Sequence, residues 1–196
     1  MPDIRKILNA GYNNVAPEAG KVLLSMPFTD DAYFQRAAIL MVEHNEEGSL
    51  GFVLDKALQR PVGFLLEEIK DFDAPLFVGG PVEQDRLNFL HNKGEMIENA
   101  IPIIPNLWLG GDIYQTLELI QAGMITPQDI RFFIGYSGWD DGQLENELKR
   151  NTWVVSSLTS EDIFREPYNK LWQLGLKQLG EDYAYWEMLP PNPEMN

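Results

Sequence analysis

The sequence predicts an α+β fold in a single domain. Three observations predict it. The ordered region opens on a β-hairpin signal, and strands and helices then follow in irregular alternation, unlike a regular βαβ series. The chain has 196 residues, 44% of them hydrophobic and 23% charged. That is enough for one core to bury roughly 70% of the unfolded surface.

The elements are read in chain order. Residues 1–19 are expected to be an arm: Ile4, Ile7 and Leu8 make one amphipathic turn, which Asn13-Asn14 and Pro17 break. Lys21 to Met26 reads as a strand stopped by Pro27, and Asp30 to Gln35 as a polar turn or short helix. Ala37 to Glu43 is a nearly continuous apolar run, as in a strand covered on both faces. Asn45-Glu46-Glu47-Gly48 is a turn, and Leu50 to Leu54 returns as the hairpin partner. Pro61 to Ile69 reads as a helix, and Pro75 to Val78 as a strand running into Gly79-Gly80-Pro81. Asn88 to His91 and Leu107 to Leu109 are short strands.

Asp112 is placed to cap a helix whose Ile113, Leu117 and Ile120 share one face, with Gly123 ending it. Thr126 to Asp129 reads as a helix start. Arg131 to Tyr136 is an apolar strand ending in Ser137-Gly138-Trp139. Gly142 to Lys149 is a helix, Thr152 to Ser156 a strand and Glu161 to Phe164 a short helix. Pro167 to Leu179 is the last helix, with Tyr168, Leu171, Trp172, Leu176 and Leu179 on its apolar stripe. The domain is expected to span residues 20–189. Residues 190–196, rich in proline, are expected to form a frayed tail.

Composition excludes several chemistries. With no cysteine in the chain, disulfides, thiol catalysis and cysteine zinc sites are ruled out. No window holds 18 successive apolar residues, and Asp3, Arg5 and Lys6 interrupt the first dozen positions, so neither a membrane span nor a secretory signal is expected. A cytoplasmic location is the default. The formal net charge of −15 repels phosphate backbones and anionic lipid heads, so direct nucleic-acid binding is disfavoured. No Gly-Lys-Ser/Thr loop and no G-x-G-x-x-G pattern is present, and no cofactor is expected.

Three glycine-bearing strand ends are candidates for a site. Glu43-His44 ends the long apolar strand and faces Asp55-Lys56; a carboxylate beside an imidazole suits base or metal chemistry, but can equally be a surface pair. Gly79-Gly80-Pro81 can turn with positive φ and expose its N–H groups as an anion nest, with His91 near it, or can be a tight turn. Ser137-Gly138-Trp139 resembles a nucleophile elbow but lacks the final glycine of G-x-S-x-G. A triad of Ser137, either histidine and Asp55 or Asp85 can be written on paper. The alternative is a turn in which Trp139 packs on Trp153 and Ser137 bonds to backbone. Two histidines without H-x-x-x-H spacing give little support to a metal site, and no metal is expected.

The same segments carry a family resemblance. Gly20 to Pro27, Phe34-Gln35-Arg36, Val42-Glu43-His44 and Gly51 to Lys56 resemble the opening of the AlgH/YqgE family. Gly79-Gly80-Pro81-Val82 with Leu90-His91 resembles its middle motif. Tyr136 to Trp139, with Gly142-Gln143-Leu144 and Trp153, resembles its third. The resemblance spans about residues 20–186 and implies a bifurcated mixed β-sheet containing a small closed barrel, surrounded by helices. It also implies a proposed role as a transcriptional regulator of exopolysaccharide genes. The chain departs from the family pattern at Asp55, where asparagine is usual, at Asp140-Asp141, often Gly-Pro or Ala-Pro, and at Leu87-Asn88, often Gly-Phe.

The expectation is a binding or regulatory module, monomeric or weakly dimeric, that holds a small molecule or protein partner. Its cleft is expected at Glu43, His44, Asp55, Gly79, Gly80, Pro81, His91, Ser137, Gly138 and Trp139. The alternative is a hydrolase using His44 or His91 as base. No catalytic residue is assigned.

Overall fold

A computed structural model describes residues 13–29, 31 and 33–189 of the chain. Most of the expected arm and all of the expected tail lie outside those residues. Asn13 is described, and its side-chain amide exchanges two hydrogen bonds with the backbone of Val155.

Ten strands form the sheet. The first three are β1 (Val22–Ser25), β2 (Ala38–Asn45) and β3 (Gly48–Val53). The next three are β4 (Ala57–Pro61), β5 (Pro75–Val78) and β6 (Val82–His91). The remainder are β7 (Ile101–Ile104), β8 (Leu107–Leu109), β9 (Ile130–Asp140) and β10 (Trp153–Ser156). The main path runs β10-β1-β2-β3-β9-β6-β8-β7. β5 joins β9 in parallel, and every other pair is antiparallel, so the sheet is mixed. The helices are α1 (Ile113–Gln121), α2 (Gln143–Lys149), α3 (Ser160–Arg165), α4 (Leu171–Gln178) and α5 (Ala184–Met188).

The sheet forks at β9. Residues 132–134 of that strand pair with β5, residues 137–140 pair with β3, and β6 pairs over 130–136. The closed barrel implied by the resemblance is not formed. β10 and β7 end the main path, and no pairing among the described residues joins them. The physical reason is the fork itself: successive parts of β9 carry different partners, so the two branches diverge from it.

Apolar side chains fill both faces, as the uninterrupted run in β2 predicts. Ala38, Leu40 and Val42 join Trp172, Leu176 and Trp186 on one side. Ile39 and Met41 join Leu144, Leu148, Trp139 and Trp153 on the other. A third cluster packs Leu76, Phe89 and Phe132 with Leu117 and Ile120 of α1. β9 supplies Phe133, Trp139 and Phe132 to the three clusters in turn. Asp112 caps α1 as expected, its carboxylate accepting from the Gln115 N–H at 3.0 Å.

Several expectations change. Pro61 to Ile69 is not a helix: it closes β4 and makes two 3-10 turns, Val62–Phe64 and Glu67–Ile69. Gly63 sits against the carbonyls of Ile69 and Lys70, and a Cβ there would lie 2.5 Å from the Lys70 oxygen, so the segment folds back on itself. β6 begins six residues before the expected strand, at Val82 rather than Asn88, because polar Glu83 to Arg86 run extended off the β9 ladder. The last helix shortens to α4, preceded by a 3-10 turn at Tyr168–Lys170.

Candidate functional site

The β2–β3 hairpin lies against the end of β9. Its turn residues are Glu46 and Glu47, which sets Asn45 opposite Gly48 and His44 opposite Ser49. Ser49 in turn pairs with Trp139, and Leu50 with Gly138. The junction opens as a cleft of about 340 Å³. Glu43, Asn45, Glu47, Ser49, Tyr136, Gly138, Trp139 and Asp140 are among its lining residues. Glu43 accepts from the Asn45 amide at 2.7 Å. Glu43, Glu47 and Asp140 are exposed, and none has an ion-pair partner among the described residues.

His44 stands beside the cleft. Its Nδ1 lies 2.8 Å from the Ser49 hydroxyl, and its Nε2 lies 3.6 Å from a carboxylate oxygen of Glu145 on α2. Trp139 is 6% exposed and edge-on to Trp153, with ring centres 6.1 Å apart. Both indole N–H groups donate to one oxygen of Glu147, at 2.9 and 2.7 Å, while the Gln143 amide donates to the other at 2.8 Å. A single carboxylate thus holds the two indoles together in the core cluster under α2.

The structure does not bring the other expected residues here. His91 pairs with Ile130 at the start of β9, and Trp139 is near its end, a separation of about 30 Å along an extended strand. His91 is fully buried and stacked on Trp108. Its Nε2 donates to the Gly110 carbonyl at 3.0 Å, and its Nδ1 accepts from the Lys93 N–H at 3.2 Å. Burial lowers its pKa, so the imidazole is held neutral with both nitrogens engaged. It is a core residue and has no access to a cleft.

Gly79-Gly80-Pro81 is not an anion nest. Neither glycine has positive φ. The Gly79 N–H donates to the Ile134 carbonyl at 2.9 Å, and the Gly79 carbonyl accepts from the Val53 N–H at 2.9 Å. A Cβ on Gly80 would lie 1.9 Å from the carbonyl carbon of Tyr136. These glycines fill the crotch of the fork, where backbone meets backbone. Pro81 is exposed beside them. Ser137 does not turn the chain, because β9 continues to Asp140. Its hydroxyl is buried and donates to the Gly79 carbonyl at 3.2 Å, so it is no nucleophile.

Asp55 lies away from the cleft, beyond the other end of β3. Its Oδ2 accepts from the Ala38 N–H at 3.2 Å, and its Oδ1 is buried without a hydrogen-bond partner among the described residues. Burial pushes its pKa up to about 7, against the opposing pull of Lys56 and Arg131. Arg131 is itself buried, donates to the Leu54 carbonyl and lies 5.1 Å over the Phe77 ring; burial lowers its pKa to about 10.

Sequence reasoning missed Ser49, Glu145 and Glu147, and left Tyr136 and Asp140 out of the expected cleft although both border Ser137-Gly138-Trp139. The hairpin carried a usable signal for Ser49: once Glu46-Glu47 is the two-residue turn, His44 and Ser49 must face each other across the ladder. Glu145 and Glu147 had no such signal, since their roles depend on how α2 packs.

The AlgH-like family model matches residues 22–184, most of the chain. The chain belongs to the AlgH-like family. Among AlgH-like relatives, a UPF0301 protein of Parabacteroides distasonis is 38% identical over 198 residues, covering 100% of both chains. A UPF0301 protein of Chlorobaculum tepidum is 40% identical, covering 90% of this chain and 95% of its own. The solution structure of the AlgH protein from Pseudomonas aeruginosa aligns with TM-score 0.69 and 27% identity, over 90% of this chain and 97% of that one. A crystal structure from Corynebacterium diphtheriae aligns with TM-score 0.74 over 88% of this chain and 92% of its own; at 21% identity it speaks for the fold alone. No helix among the described residues is long and apolar enough to cross a membrane. Nor do the described residues hold a cluster of three metal-ligating side chains.

Proposed function

We propose that this AlgH-like protein is a binding module whose cleft at the end of β9 takes a cationic group, presented by a protein partner or a small molecule. Any regulatory role then runs through that occupant and not through contact with DNA, which the net charge of −15 opposes. The observation that carries the reading is a set of carboxylates without an ion-pair partner among the described residues, Glu43, Glu47 and Asp140, around a cavity lined by Tyr136. Aromatic faces beside carboxylates suit ammonium and guanidinium groups.

Titration calorimetry with spermidine and with a short oligolysine peptide tests this. Saturable binding at physiological salt is expected. Combining Glu43→Gln, Glu47→Gln and Asp140→Asn should weaken it about tenfold, at about 0.5 kcal/mol for each exposed charge contact. Equal affinity in the triple variant would sink the proposal.

One observation favours a second reading, hydrolysis. Ser49, His44 and Glu145 form a hydroxyl–imidazole–carboxylate series with contacts of 2.8 and 3.6 Å. In that reading Ser49 is the nucleophile, His44 its base and Glu145 the group that orients the imidazole. An activated aryl ester should then be cleaved by the wild type and not by Ser49→Ala or His44→Ala, both of which keep the carboxylates of the cleft. Cleavage that survives either substitution removes the hydrolase reading.

A further inference from the structure

A second concavity lies on the other branch of the sheet, over the face that α1 only partly covers. Its floor is Leu76 of β5, Ile134 of β9 and Leu87 of β6, and its volume is about 620 Å³. Leu58, Phe64 and Leu65 stand on its rim with exposures of 40%, 64% and 49%. Exposed aliphatic and aromatic side chains grouped around an apolar floor are unusual on a chain this acidic, and they mark a surface that something covers. A cavity of this size, apolar with few polar groups, has the form of a small-molecule site.

The charges around the groove are sparse and directional. Arg60 of β4 lies 4.3 Å over the Phe64 ring and has no ion-pair partner among the described residues. On the opposite wall Arg86 is engaged by Glu83 at 2.6 Å, and Asp85 is exposed beside it. One wall therefore offers an uncompensated cation and the other a carboxylate. The strand order β4-β5-β9-β6 separates the walls by about 14 Å, at about 4.8 Å per strand.

We infer that this groove binds a small organic acid with an apolar body, its anionic head at Arg60 and its tail laid across Leu76 and Ile134 toward Leu87. Asp85 repels the head from the far wall and so fixes the orientation. The site is independent of the carboxylate-lined cleft, because none of the cleft carboxylates lines it.

Fluorescence titration with anilinonaphthalene sulfonate, and with the uncharged phenylnaphthylamine as its partner probe, tests the inference. Both should bind saturably at one site per chain. Dodecanoate should displace the anionic probe, and dodecanol should do so at least fivefold less well. Arg60→Ala should weaken the anionic probe at least fivefold while moving the neutral one less than twofold. Phe64→Ser, at an exposed position that leaves the core intact, should weaken both. Unsaturable binding overturns the inference. So does an anionic probe indifferent to Arg60→Ala, or probe binding that vanishes as the chain is concentrated into a dimer. Persistence of these results in the triple carboxylate variant of the cleft keeps the two sites separate.

Discussion

Asp55 shows how one buried atom sets a pH dependence. Its Oδ1 has no hydrogen-bond partner among the described residues, and burial lifts the carboxyl from 3.8 to about 7. Between those values the folded chain keeps a proton that the unfolded chain releases. Stability from this group is therefore complete below the unfolded value, falls as pH rises through the window, and is level above it. Asp55→Asn removes the titration and supplies a neutral amide whose oxygen still accepts from Ala38. The advantage of the variant over wild type should grow by about 2–3 kcal/mol between about pH 5 and pH 8. Denaturant melts of both proteins at the two pH values check this, and a constant difference contradicts it. The sequence marked Asp55 as a departure from the family pattern. It did not reveal the burial, which comes from segments distant in the chain.

At the scale of elements, the glycine pair after β5 is what lets the sheet divide. Gly79 links β9 to β3 through its N–H and carbonyl, and Gly80 rests on the backbone of Tyr136 and Ser137. No side chain fits between them. Gly80→Ala must displace β9 itself, because the obstructing atoms are backbone. We expect it to cost about 3 kcal/mol or more, or to prevent folding, as severe overpacking does. Gly142→Ala, where an added Cβ meets nothing within 4 Å, should be far milder despite its positive φ of 67°. Comparing the two by thermal melting separates crowding from backbone strain; equal losses would contradict the crowding account. The glycine pair was visible in the sequence, but its role was not: a turn and a backbone contact demand the same residue type.

For the whole molecule, the α+β class and most strands were legible, because long apolar runs such as Ala38 to Val42 and the Asp112 cap are local signals. β4, β7 and the first half of β6 were not, since exposed Gln59, Arg60, Glu83 and Asp85 carry no apolar alternation and Pro102 interrupts the four residues of β7. The cleft was legible only in part. Glu43, Gly138 and Trp139 line it, and His44 flanks it through Ser49. His91 looked equivalent to His44 in sequence, yet the direction of β6 puts it at the opposite end of β9. Gly79, Gly80 and Ser137 were drawn in by residue type and turn out to hold the fork together.

The position of β9 and β10 in the chain has a consequence for synthesis. β1 lies between β2 and β10, and β3 between β2 and β9, so the first three strands are completed only by segments from residue 130 onward. While the ribosome is still making those segments, Leu40 and Phe52 have emerged without Phe133, Val154 or Trp172 of their cluster, and Leu23 without Trp139 or Trp153 of its own. The nascent chain therefore passes through a long interval of unpaired strand edges, the state in which non-local β pairing is slow and exposed to aggregation.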